Sequence, residues 1–448
     1  MISICCHKRV FRYIVLLLLL LLVLTGCGNA SEHAGHVKTE DPDLVDQPLD
    51  DQYYLGPSGN RLITEGENVY YFAEQLSGDG EDGLQGYFLC YLEKATLKTG
   101  IMCIRANCLH QQEKDYGQFT SCGGYILNPR GMWFHCGNLY IVCTDNTELS
   151  QVYETVLKVY KPDGTFVRNE TVLPNGVQTM IMHKGKLYYS YVEVTETGIG
   201  VYGVNQYDLE TKDTESVGLW TEDQVEYVGN FLGYGDYVYF LVSEKEGKGF
   251  THRVAIYRSD EQTLDWMENP VSPANMSAPL IYQNRLLVQF WKYKEDGIID
   301  EDLYRKVFCA DPDGSNVEEI GTVQYPGGVI AAFEDMLLVS NRAQIDVEYD
   351  PQTQTFYATE REKFAVYRDL VLQYEFGLSS VAGHDFSTHE IERAMDMDPY
   401  IVLKTYGGTK AVATGDTTEY EFIPACLIAI QKEDLKTGQL APVVIELP

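Results

Sequence analysis

The chain has 448 residues, 45% of them apolar and 54 aromatic (33 Tyr, 17 Phe and 4 Trp), which excludes a wholly disordered polymer and is enough to fill a sizeable core. Against 34 Lys and Arg stand 66 Asp and Glu, and a formal charge of −32 repels phosphate backbones, so a nucleic-acid partner is excluded.

Lys8, Arg9 and Arg12 precede an unbroken apolar run from Tyr13 to Leu24. Basic residues before a short apolar stretch have the form of an export signal, and the run falls short of the ~20 residues that span a bilayer as a helix. Residues 1–26 are therefore expected to be a signal peptide. The stretch 28–50 lacks aromatic residues and is rich in acids, so it cannot bury enough apolar surface to order itself. We expect 27–50 to be a flexible tether and 51–448 to form a single domain. His33 and His36 lie in the tether and are expected to be solvated.

From residue 51 onward, short runs rich in Tyr, Val, Ile and Phe alternate with Gly, Asp and Asn, the pattern of strands and turns. A tight turn before a tyrosine-rich or leucine-rich strand recurs as GENVYYF (66–72), CGNLYIV (136–142), HKGKLYY (183–189), YGDYVYF (234–240), YQNRLLV (282–288) and FEDMLLV (333–339). A second strand of each unit ends in a polar turn, as in KPDG (161–164), SDEQT (259–263), DPDGS (311–315) and LKTG (435–438). Repeats of about 40–50 residues with four short strands predict an all-β protein, a single β-propeller of about seven four-stranded antiparallel blades, with six or eight also compatible with the repeat length. One four-stranded sheet cannot bury both faces alone, and a ring of sheets buries each against its neighbours. Ser387, Thr388, His389 and Glu390, followed by Ile391, Ala394 and Met395, read as a capping box and predict a short helical insertion in the last blade.

Eight cysteines follow residue 27. Cys103, Cys108, His110 and Cys122 crowd into CIRANCLHQQEKDYGQFTSC. Three thiolates and one imidazole form a complete tetrahedral set for structural zinc, although the spacing is not that of a standard finger. The alternative is a disulfide, Cys108–Cys122 or Cys103–Cys122, with His110 a bystander. Cys90, Cys136 and Cys143 fall in strand patterns and are expected to be small core residues.

Other motifs lack their partners. Gly198, Gly200 and Gly203 match a dinucleotide fingerprint but precede a strand, and His389-Glu390 is followed by Arg393 where a zinc protease needs histidine. Asp311, Asp313 and Ser315 are expected to be a polar hairpin turn, and the acidic segment 295–302 a solvated loop. No catalytic residue is assigned. The absence of a catalytic motif favours a platform for a ligand or protein partner. The alternative is an extracytoplasmic carbohydrate-active lyase or hydrolase, with carboxylates brought by loops to the propeller channel.

Two resemblances add to this reading. Leu24-Thr25-Gly26-Cys27 resembles the bacterial lipoprotein box, which implies acylation of Cys27, including palmitate, and extracytoplasmic anchoring to the cell membrane. The turns at 161–164 and 311–316 resemble those of TolB-like propellers, where they join the two outer strands of a blade. Signal, tether and tyrosine-rich repeats together look like propeller lipoproteins on the surface of Gram-positive gut anaerobes, among which the Cys-Cys-His-Cys run recurs.

Overall fold

In the computed structural model, residues 62–447 are described, except 76–85, 107, 109, 111–121, 147–152, 197, 248, 296, 342–346, 351–354, 359–361, 379, 382–383, 386–390, 406–407, 415–416 and 424–425. Of 75, 146, 347–350, 355–358, 380–381, 384–385, 391–396, 408–414 and 417–423, the backbone alone is described. The signal, Cys27 and the tether lie outside these residues. Among the described residues no helix is long and apolar enough to cross a membrane.

Seven sheets of four antiparallel strands follow one another, over 63–101, 131–173, 177–221, 225–266, 280–322, 329–377 and 391–446. Each sheet is a meander, and its buried faces pack against the next. Apolar clusters join the first blade to the second, the second to the third, the third to the fourth, the fifth to the sixth and the sixth to the seventh. The fourth and fifth blades meet where Tyr239 donates a hydrogen bond to the Pro312 carbonyl, 2.8 Å away. A last cluster, with Tyr70, Phe72 and Leu92 from the first blade and Val402, Leu427 and Ile445 from the seventh, closes the ring. This is the seven-bladed all-β propeller that the repeats predict.

The motif turns have a packing role. Buried tyrosines of one blade donate to turn carbonyls of the next: Tyr71 to Pro162 (3.3 Å), Tyr239 to Pro312, and Tyr282 to Asp335 (3.2 Å). Pro162 and Pro312 are the prolines of the two Pro-Asp-Gly turns. In the second of these, Gly314 has φ +83° and a Cβ there would stand 2.2 Å from Ile256 Cδ1, so only glycine permits this approach to the fourth blade. Asp313 Oδ1 accepts from the Ser315 backbone N–H (3.0 Å) and hydroxyl (2.6 Å), which accounts for the acidic turn without a metal.

The last blade corrects one expectation. Ile391–Met397 is a strand paired with Tyr400–Thr405, not a helix. The register shifts at a bulge between Ile391 and Arg393, and the capping-box residues Ser387, Thr388, His389 and Glu390 lie outside the described residues. The helical turn of this blade is instead Lys432–Thr437, between its third and fourth strands, closed by Gly438 at φ +74°. A second short helix, Glu301–Tyr304, is capped by the Asp300 side chain within the acidic segment.

Because the strands alternate in direction, connections from the second to third strand, and from one blade to the next, share one face. That face carries the long segments 289–305, 341–362 and 406–425, the last two holding the hairpins Val347–Asp350 with Thr355–Ala358 and Gly408–Thr414 with Thr417–Ile423. The first-to-second connections on the opposite face are tight turns such as 136–137, 184–185 and 283–284, with positive φ at both residues, the geometry matched to strand twist. One face is stitched and the other elaborated.

Candidate metal centre and ligand-presenting face

The fourth strand of the first blade is split. Thr99–Ile101 pairs with one half of Gly86–Glu93, the chain leaves, and Tyr125–Leu127 returns to pair with the other half. At the break, Leu89 accepts from the Met102 N–H (2.8 Å) and donates to the Gly124 carbonyl (2.7 Å), so the two ends of the excursion lie side by side. A Cβ on Gly124 would stand 2.6 Å from the Met102 carbonyl oxygen, and only a glycine allows the ends to come so close.

Cys103 and Cys122 stand at these two ends, and Cys108 and His110 join them: one ligand atom from each of the four lies within 4.8 Å of every other. Cys122 is buried and the other three are half-buried. Cys122 Sγ is 3.6 Å from His110 Nδ1. Tetrahedral zinc, with bonds of about 2.3 Å to sulfur and 2.0–2.1 Å to nitrogen, separates those atoms by about 3.5 Å. No disulfide joins the described cysteines. The four residues singled out by spacing are thus brought to one point.

The surrounding backbone suits thiolates. The Arg105 and Gly123 N–H groups donate to the Cys103 sulfur, and the Gly124 N–H donates to that of Cys122. Burial opposes ionisation of Cys103, but these donors, with the Cys108 and Cys122 side chains, hold its thiol below the ordinary value. Burial pushes the Cys122 thiol up to about 12, against the lowering effect of the Gly124 N–H. In each of two short turns the sulfur of residue i therefore accepts from the N–H of residue i+2, and Gly123 ties one turn to the other. His110 takes a left-handed backbone, φ +50°, uncommon for a residue other than glycine.

Cys90 and Cys143 are buried core residues, as expected, and burial raises both thiols. Cys136 departs from expectation: it is exposed in a hairpin turn at φ +45°, its sulfur 3.4 Å from His135 Nε2. Its place just before Gly137 and Asn138, a turn signal, outranks its place beside an apolar run.

A second feature lies on the elaborated face, between the fourth and fifth blades. Phe250, His252, Trp291 and Tyr293 follow ring to ring at 5.1, 5.5 and 5.6 Å, and Tyr304 lies 6.4 Å from Trp291. Their support is local. Phe290–Trp291 pairs with Asn275–Met276, the Asn275 side chain accepts from the His252 N–H (2.7 Å), and Gln289 donates to the Tyr304 carbonyl (2.8 Å). Burial lowers the His252 pKa, with Glu226 opposing it, so the ring is neutral near pH 7. Exposed large apolar residues outside the fourth strands and the cysteine excursion, namely Tyr153, Val194, Ile199, Phe250, Tyr293 and Ile298, all lie at connections of this face. Sequence reasoning missed the array because its members are far apart in the chain and obey no period.

No family model matches the sequence, and no curated protein is similar to it. Among solved structures, the chain is similar to a prolyl endopeptidase (11% identity, TM-score 0.52, covering 89% of this chain and 51% of that one). It is also similar to the acylaminoacyl peptidase of Pyrococcus horikoshii (8% identity, TM-score 0.50, 90% and 54%). TolB from Acinetobacter baumannii matches at 11% identity over 69% of this chain and 64% of its own, with a TM-score of 0.34. The chain spans about half the length of the two peptidases. At these identities the likeness is one of fold.

Proposed function

We propose that this chain is an extracytoplasmic propeller, anchored to the bacterial membrane through lipid on Cys27, that presents its elaborated face as a binding platform. The observation that carries the platform is the division of labour between the faces. Tyrosine-to-turn hydrogen bonds bind the blades together on one side, whereas the long connections and the exposed Phe250, Tyr293 and Ile298 side chains lie on the other. Exposed apolar residues gathered on one face mark interaction sites in soluble proteins. Its aromatic rings offer flat faces on which an apolar ring surface of a ligand stacks. The basic, apolar and Thr25-Gly26-Cys27 sequence supports the anchor, because two acyl chains hold a protein at a membrane where one binds only marginally.

Two measurements test this reading. Cys27→Ser should move the protein out of the detergent phase of a phase-partition experiment; retention there contradicts acylation. The labelled protein, purified in detergent, should bind members of a panel of plant and animal glycans and extracellular proteins, and Phe250→Ala with Tyr293→Ala should abolish that binding. Val371→Ala, on an outermost strand, serves as the control and should leave it intact. Binding that survives the double substitution, or turnover of a glycan by the unaltered protein, would refute the platform.

A further inference from the structure

Among the described residues no strand crosses the closure of the ring. The first blade takes its strands from 63–101, completed by Tyr125–Leu127, and the seventh from 391–446, so neither sheet borrows from the other end of the chain. The seam is held by an apolar cluster and by polar links. Tyr70 donates to the Asp398 carbonyl at 2.7 Å, Thr99 donates to the Glu446 carbonyl at 3.0 Å, and Lys404 stands 3.9 Å from Glu74. Cys122 is part of that same apolar cluster, which also includes Met397, Val402 and Leu427 of the seventh blade, and Cys103 and Cys108 pack against the cluster. The thiol and imidazole cluster therefore stands at the one seam of the ring where the two ends of the folded chain meet.

We propose that Cys103, Cys108, His110 and Cys122 hold one structural zinc ion that latches this closing seam. The donor set is complete, so no coordination position is left for substrate and the role is not catalytic. Three sulfurs and a nitrogen suit a soft or borderline cation and disfavour calcium or magnesium. The latch acts through packing. By fixing both ends of the excursion, the ion holds Cys122 in the cluster that the first and seventh blades share and holds the split fourth strand in register, next to the Thr99 link to Glu446. Binding releases the three thiol protons, and the donors from Arg105, Gly123 and Gly124 remain to support the thiolates. Without the ion, two half-buried thiols and an imidazole at the edge of an apolar seam lose their common partner, and the closing blades are expected to separate before any other pair.

The test uses the full chain purified from membranes in detergent under reducing conditions. Elemental analysis should give one zinc per chain, and His110→Cys, which keeps four ligands, should retain it while Cys108→Ser should not. Hydrogen exchange by mass spectrometry is then followed before and after chelation of the unaltered protein. Chelation should speed exchange at least tenfold in peptides covering 69–75, 400–405 and 426–431. Peptides covering 186–194 and 237–246, at the seam of the third and fourth blades, should not change. Zinc bound but with equal exchange at the two seams after chelation overturns the latch while leaving the metal site. A metal-free protein in which two of the thiols form a disulfide overturns both. Chelation of the unaltered chain keeps the test decisive if either variant fails to fold.

Discussion

Replacing Tyr239 by Phe isolates one of the hydrogen bonds that join the fourth blade to the fifth. The ring is fully buried and its hydroxyl donates to the Pro312 carbonyl at 2.8 Å, so the substitution keeps the packing and removes one well-formed hydrogen bond. A neutral hydrogen bond contributes about 0.5–1.5 kcal/mol net, and because Pro312 is half-buried its carbonyl loses this partner without being sealed from water, which gives about 1 kcal/mol in all. Tyr71→Phe removes the equivalent bond between the first and second blades, but that bond is longer, 3.3 Å, and its loss should cost less, about 0.5 kcal/mol. Urea denaturation followed by tryptophan fluorescence and by far-ultraviolet circular dichroism measures both. A Tyr239→Phe protein as stable as its parent, or a Tyr71→Phe protein that loses more than Tyr239→Phe, would refute the view that tyrosine hydroxyls stitch the blades.

Other perturbations follow from single features. Gly124→Ala forces a Cβ to 2.6 Å from the Met102 carbonyl and should cost about 1–3 kcal/mol in the same denaturation experiment, with loss of zinc if the ends of the excursion part. Cys136→Ser, at an exposed turn, should change stability by less than about 0.5 kcal/mol and leave the metal content unaltered. Burial raises Tyr71 and Tyr282 from 10 to about 12, so the folded chain keeps protons that the unfolded chain gives up. Their contribution is intact below pH 10 and lost as pH rises from 10 to 12, by up to roughly 2.7 kcal/mol each. Urea titrations across that range should show stability falling with pH, and less steeply in Tyr71→Phe.

The sequence carried the architecture because its turns are local. The hairpin turns at 136–137, 184–185 and 283–284 need left-handed residues, so CGN, KGK and QNR announce themselves, and the Pro-Asp-Gly turns do the same for the outer strands. The metal candidates were legible for the same reason, since one excursion supplies all four. What proximity in sequence could not convey is that this excursion lies at the closing seam, because Cys122 joins a cluster with Val402 and Leu427 only once the ring has closed. The strand Ile391–Met397 shows the opposite failure, because a capping-box pattern before Ile391, Ala394 and Met395 read as a helix where the residues pair with Tyr400–Thr405. The aromatic array joins Phe250 to Trp291 across two blades, and no local pattern points to it.

X-ray absorption at the zinc edge of the purified full chain tests the metal latch most directly. The account predicts one zinc per chain with three sulfur neighbours at about 2.3 Å and one nitrogen at about 2.0 Å. A protein without zinc, or zinc surrounded by oxygen and nitrogen with no sulfur, would contradict it.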